Sequence, residues 1–255
     1  MNWWKGDTSQ DSVSVSVGAA SDTGITRDKN EDAYGDFSSQ ETGERLFVVA
    51  DGMGGHERGQ EASRTTVAVV QKTFFGTREG SVRRRLRRAF HRANDRVYGS
   101  AENRETEASM GTTATAMALA GENVYLAHVG DSRAYRFRAD ESQQLTRDHT
   151  VAREMQRRGT LTAEEARTHP RRGTLTRAIG VEPTVEVDLE EVGPFRAGDY
   201  FLLCTDGLED LSEAVLREEV LDHPPQQACE RLVQRANDQG GYDNATALVV
   251  HRPHS

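Results

Sequence analysis

A chain of 255 residues, 29% of them charged and with a formal net charge of −9, can build one large α/β domain or two small ones around a substantial core. No apolar run approaches the ~20 residues that cross a bilayer, and the negative balance argues against general nucleic-acid binding, which needs a cationic footprint. Met1-Asn2-Trp3-Trp4-Lys5 lacks the apolar stretch of a signal peptide, and two cysteines, Cys204 and Cys229, make no disulfide framework, so the expected compartment is the cytoplasm.

Residues 1–12 are polar and aperiodic and read as a loose tail; Trp3 and Trp4 within it have no assigned role. From Ser12 to Ser16, serine and valine alternate at period two, a strand signal that leads into Gly18-Ala19-Ala20. A strand over 46–50 follows, and a Gly-rich turn from Gly52 to Gly59 opens a helix over about 61–75. A second helix, about 81–104, carries the run Arg83-Arg84-Arg85-Leu86-Arg87-Arg88. Its Val82, Leu86, Ala89, Phe90, Ala93 and Val97 recur at helical spacing and leave the arginines mostly on a solvated face; a docking patch for an acidic partner is the alternative. Strands are expected near 111–120, 123–130 and 132–138, with Gly121-Glu122-Asn123 as a hairpin turn.

The stretch from Asp148 to Arg172 is polar and helical in short pieces, with a capping box at Thr162 and Glu165. It reads as a flap inserted between strands. Strands near 184–192 and 199–205, helices near 212–221 and 226–237, and a strand at 245–251 complete a single mixed α/β domain over 13–251. Its strands are dominantly antiparallel, and 252–255 is a short tail.

Four aspartates stand at the mouths of these strands. Asp51, Asp131 and Asp206 end the apolar runs that begin at Phe47, Tyr125 and Tyr200, and Asp243 precedes the run from Ala245 to Val250. Any one of them could be a turn residue or a helix N-cap. Four together suggest a shared purpose, because strands lying side by side bring their ends together. Two carboxylates ~4 Å apart repel by about 4 kcal/mol at an effective dielectric near 20. Such a cluster needs protons or a cation, and all-oxygen ligands favour magnesium or manganese.

The order and spacing of several segments carry a resemblance. Arg27-Asp28-Lys29-Asn30-Glu31-Asp32, Ala50-Asp51-Gly52-Met53-Gly54-Gly55-His56, Gly130-Asp131-Ser132-Arg133 and Thr205-Asp206-Gly207 with Asp243-Asn244 are similar to the metal-dependent protein phosphatases of type 2C, in their compact bacterial serine/threonine branch. Met110-Gly111-Thr112-Thr113 and Arg177-Ala178-Ile179-Gly180 fall at similar stretches, so the resemblance covers about residues 15–250. It implies a four-layer αββα sandwich, two antiparallel sheets each covered by a helix pair. It also implies hydrolysis of phosphoserine and phosphothreonine by a water activated by two divalent cations, with a third more weakly held.

By the same resemblance, Asp51 bridges the two metals, the Gly52 carbonyl serves the first, and Glu31, Asp206 and Asp243 serve the second. Asp32 orients the attacking water, Asp131 with Asp206 and Asp210 holds the third metal, and Arg27 grips the phosphoryl oxygens. Arginine suits that task because its fork is planar and permanently charged. Met53 stands where many eukaryotic members have the histidine proposed to protonate the leaving alkoxide, and a thioether has no proton to give. A water at the third metal and His56 are the alternatives; His149 and His169, in the flap, could touch substrate without being catalytic. The expected partners are phosphorylated proteins and a cognate serine/threonine kinase with its substrates, and the expected state is a monomer. An enzyme acting on anti-anti-sigma factors keeps the chemistry and changes the partner. A pseudophosphatase binding module would show a broken ligand set, whereas Glu31, Asp51, Asp206 and Asp243 are all acidic.

Overall fold

The computed structural model describes residues 14–54, 57–102, 110–139 and 141–254. The elements run β1 Ser16–Asp22, β2 Asp32–Ser38, β3 Arg45–Met53, α1 Glu57–Phe75, α2 Val82–Glu102, β4 Gly111–Thr112, β5 Ala114–Ala120, β6 Asn123–Val129, β7 Arg133–Arg138 and β8 Glu141–Gln144. The flap helices α3 Val151–Arg157 and α4 Ala163–Thr168 come next, then β9 Asp188–Pro194, β10 Tyr200–Cys204, α5 Glu213–Asp222, α6 Pro225–Asp238 and β11 Ala245–His251.

The strands form two antiparallel sheets, one ordered β1-β11-β10-β7-β8 and the other β2-β3-β5-β6-β9, with β4 pairing to β3. Alternation along β3 shows how the layers stack. Leu46, Val48 and Ala50 face α1 and α2, in a cluster with Phe74, Leu86, Phe90 and Val97. Phe47 and Val49 face the other sheet, meeting Phe201, Leu203, Leu248 and Val250. On the far side of that second sheet, Leu202, Cys204, Ala247 and Val249 pack under Leu216, Val220, Leu232 and Val233 of α5 and α6. A strand buried on both faces reads as an unbroken apolar run, because both phases of its period-two pattern point into a core. The fold is the αββα sandwich.

Several expected boundaries shift for physical reasons. Among the described residues β1 begins at Ser16 and runs through Gly18, where α6 lies so close that a Cβ on Gly18 would collide with the Pro225–Gln226 backbone; Ser12, where the strand signal begins, lies outside the described residues, as do Trp3 and Trp4. The capping box is present: Thr162 accepts from the Glu165 amide, and the Glu165 carboxylate accepts from the Thr162 amide at 2.7 Å. Asp148, His149 and Thr150, the first residues of the expected flap, are buried. Arg252, expected in a terminal tail, is held: its amide donates to the Asp199 carbonyl at 3.1 Å, and its guanidinium binds the Phe195 carbonyl and Glu122. Arg85 leaves the solvated face expected for its run. It is 6% exposed, forks onto both Glu44 oxygens and lies over the Phe74 ring at 4.6 Å.

Candidate active site

The antiparallel order brings the same ends of both sheets together. Asp51 at the end of β3 and Asp131 just past β6 come from one sheet; Asp206 after β10 and Asp243 before β11 come from the other. With Glu31 and Arg27 they line one open groove of about 620 Å³ at the edge of the sandwich.

Close backbone approach builds the floor. A Cβ on Gly52 would collide with the Gly59 carbonyl, one on Gly59 with the Glu31 carboxylate, and one on Gly207 with the Asn244 carbonyl. Glycine at these three positions lets the loops touch. Asn244 ties them: its Oδ1 accepts from the Glu31 amide at 2.8 Å, and its Nδ2 donates to the Thr23 and Lys29 carbonyls at 2.8 and 2.9 Å. Behind Asp51, its amide donates to Thr113 Oγ1 at 2.9 Å, and that hydroxyl meets Ser132 Oγ at 2.6 Å. Arg133 clamps the next segment, its Nη2 donating to Asp148 at 2.8 Å.

The carboxylates crowd. Asp51 and Asp206 lie close enough for each to shift the other, and two buried ionised carboxylates so placed repel unless a proton or a cation offsets their charge. Burial first, then the charges of Asp206 and Asp32, push Asp51 well above the ordinary carboxylate range. Asp131 rises similarly through burial, then Asp206 and Asp148, and Asp206 rises chiefly through burial. Asp32 is buried and pushed up to about 7 by desolvation, although its Oδ2 accepts from Thr246 Oγ1 at 2.6 Å and Thr205 Oγ1 at 2.8 Å.

Arg27, half exposed, donates to Asp243 Oδ2 at 2.6 Å. As the side chains stand, no group of three or more His, Cys, Asp or Glu among the described residues closes around one point. The donor set nevertheless fits a hard divalent cation. It is all oxygen, it concentrates negative charge, and Asp206 Oδ1 and Asp32 Oδ1 are buried without a hydrogen-bond partner.

Of the residues singled out from sequence, Arg27, Glu31, Asp51, Gly52, Asp131, Asp206 and Asp243 line this groove, and Met53 lies in it. Asp32 is beneath it, and Asp210 lines an adjoining cleft that shares Asp131. His56 lies outside the described residues. His149 does not line the groove: it is 6% exposed, its Nδ1 accepts from the Gly130 amide at 3.0 Å and its Nε2 meets Asp188 at 3.2 Å. His169 accepts from the Arg171 amide at 3.1 Å, after α4, and does not line the groove. Sequence reasoning assigned nothing to Thr113, Thr205, Thr246 or the Asn244 amide. Thr246 left a trace, as a polar residue between alternate apolar positions of β11.

Residues 25–248 match the family model described as protein phosphatase 2C. The serine/threonine phosphatase Stp of Listeria innocua is 37% identical over 238 residues, covering 91% of this chain and 93% of that protein. The serine/threonine phosphatase of S. agalactiae superposes with a TM-score of 0.87 at 32% identity, over 93% of this chain and 99% of that one. The catalytic domain of the serine/threonine protein phosphatase PstP, solved in complex with two manganese ions, gives 0.79 at 32% identity, over 94% and 99%. With the sandwich, the groove and these likenesses in agreement, the chain belongs to the protein phosphatase 2C family and is a serine/threonine phosphatase.

Proposed function

We propose that the groove hydrolyses phosphoserine and phosphothreonine on proteins with two divalent cations, manganese or magnesium, and a third held more weakly. The observation that carries this reading is the convergence of Glu31, Asp51, Asp131, Asp206 and Asp243 with Arg27 on one groove, where Asp206 Oδ1 is buried without a hydrogen-bond partner. Asp51 and the Gly52 carbonyl would hold one cation, Asp51 with Glu31, Asp206 and Asp243 the second, and Asp131, Asp206 and Asp210 the third. When bound, the cations supply Lewis-acid charge to the phosphoryl group and make a water nucleophilic near neutral pH.

The chain's own residues do the rest. Asp32, fixed by two threonine hydroxyls, offers its unpaired Oδ1 to orient the attacking water. Arg27, free to swing from Asp243, forks onto the non-bridging oxygens and holds phosphorus for in-line attack. The water oxygen bonds to phosphorus as the seryl or threonyl oxygen leaves. We assign that alkoxide's proton to a water held on the Asp131 side of the groove, with His56 the alternative donor, because the Met53 thioether has none to give.

The reading extends to a single catalytic domain over 13–251 with the flap from about 148 to 172. It acts as a monomer in the cytoplasm on phosphoproteins, opposing a cognate serine/threonine kinase. No described helix is long and apolar enough to cross a membrane, which agrees with that location. The test is release of phosphate from phosphothreonine peptides with manganese, magnesium or EDTA. Turnover that needs the cation and returns after its replacement is expected; full turnover after exhaustive chelation refutes the mechanism.

A further inference from the structure

We propose that Ile25 and Tyr242 form an apolar platform beside the phosphate site, on which a substrate seats an apolar side chain lying within two residues of the phosphorylated one. This rests on the phosphatase reading above and adds to it the class of sequence the enzyme prefers.

Among the described residues, four large apolar side chains are exposed: Ile25 at 72%, Tyr242 at 69%, Tyr34 at 43% and Val181 at 39%. Three of them line the acidic groove or stand within two residues of its lining in the chain. Val181 lines its wall, Ile25 is two residues from Arg27, and Tyr242 adjoins Asp243. The two most exposed lie together. The Tyr242 ring stands 2.5 Å from where a Cβ on Gly240 would be, and Ile25 Cγ1 stands 2.8 Å from where one on Gly241 would be. Both side chains therefore drape over one glycine turn at the end of α6.

That turn is fixed. The Ile25 and Thr26 amides both donate to the Gly241 carbonyl, at 2.8 and 3.1 Å, and the Gly241 amide donates to the Ala236 carbonyl at 3.1 Å. The platform is thus preorganised, so little ordering opposes binding. A single exposed apolar side chain is ordinary. Two side by side on a rigid turn, continuous with the residues that line the groove, make an interaction surface.

The charge balance says why the occupant is the substrate. A phosphopeptide brings negative charge to a protein of net −9, and away from the metal ions and Arg27 their mean field is repulsive. Apolar contact is indifferent to that field and can hold the polypeptide on either side of the phosphoryl group. Ile25 and Tyr242 lie within two residues of Arg27 and Asp243, whose side chains meet at 2.6 Å, and an extended chain advances ~3.3 Å per residue, so the platform is assigned to neighbours one or two positions from the phosphoresidue.

The experiment uses the full chain with manganese, p-nitrophenyl phosphate, and two phosphothreonine peptides differing only in leucine or serine at the positions flanking the phosphoresidue. The wild type should favour the leucine peptide by ~10-fold in kcat/KM, the order of discrimination that apolar contacts give. Tyr242→Ser and Ile25→Ser should each reduce that preference, and together erase it, through KM. Tyr242→Phe should keep it, and p-nitrophenyl phosphate turnover should be unchanged throughout. A wild type indifferent to the flanking residues, or a double variant that keeps the preference, overturns the proposal. So does a double variant that changes only self-association in sedimentation, which would make the platform a contact between copies of this chain. Failure of the wild type to hydrolyse any of the three substrates would instead refute the phosphatase reading itself.

Discussion

Replacing His128 with glutamine should remove about 2 kcal/mol of acid sensitivity between pH ~7.5 and pH ~5. His128 is 2% exposed and tilts against His149, ring centroids 4.8 Å apart. Its Nε2 meets the Arg147 carbonyl at 3.1 Å, so that nitrogen carries the hydrogen, and Nδ1 accepts from Thr115 Oγ1 at 2.8 Å. A second proton would bring an unsolvated charge into the wall behind Asp131. Burial first, and His149 second, pull the pKa down to about 4, against roughly 6.5 in the unfolded chain. Between those values the unfolded chain binds a proton that the folded chain refuses. The contribution is therefore intact above about 6.5 and is lost as pH falls toward 4. Integrated from about 7.5 to 5, the loss is about 2 kcal/mol, or ~4–8 °C in Tm for a domain of this size. Glutamine can meet the same carbonyl and hydroxyl without titrating. The assay is urea denaturation of both proteins in EDTA across this range, read as the difference between them, so that the raised carboxylates of the groove, which act in the opposite sense, cancel. A difference that stays constant with pH would refute the argument.

Arg27→Ala and Arg27→Lys should both lower kcat/KM on phosphopeptides, because lysine lacks the fork; unchanged steady-state kinetics for both would return Arg27 to a mere ion pair with Asp243. Asp131→Ala should harm phosphoserine peptide hydrolysis by ~10²-fold or more relative to p-nitrophenyl phosphate, whose good leaving group needs no proton, while His56→Ala stays nearly silent on both. The reverse pattern would make the loop histidine the acid. Gly52→Ala should lose activity and ~1–3 kcal/mol of stability, since its methyl group must displace the Gly59 backbone; a wild-type melting curve would contradict the packing described.

Much of the site was legible because its chemistry sits at the ends of strands that are apolar on both faces. The runs leading to Asp51, Asp131 and Asp206 are unmistakable, and chain order alone placed four carboxylates at strand mouths. β2 and β8 left no such trace. Each is the edge strand of its sheet, and both are polar along much of their length, as in Asp-Ala-Tyr-Gly-Asp-Phe-Ser and Glu-Ser-Gln-Gln. An edge strand packs against one neighbour only and needs little apolar signal. The buried polar frame was equally hidden. Asp148 and His149 read as the start of the flap because their partners, Arg133 and the Gly130 amide, lie 15 and 19 residues away. Arg85 looked like one more solvated arginine until Glu44, 41 residues away, supplied its counter-charge. Pairings of that range follow from the fold and not from local pattern.

Thermal unfolding of the wild type and Asp206→Asn across a manganese titration, with phosphopeptide turnover on the same samples, tests the central assignment most directly. A cation that binds only the folded state stabilises it by about 2.7 kcal/mol at a hundredfold excess over Kd, so the wild type should gain ~5–10 °C. Asp206→Asn removes one charge from the crowded carboxylates and should melt no lower than the wild type in EDTA, yet respond weakly to manganese and release no phosphate. An Asp206→Asn protein with the wild-type manganese response and near-normal turnover would contradict the two-cation assignment.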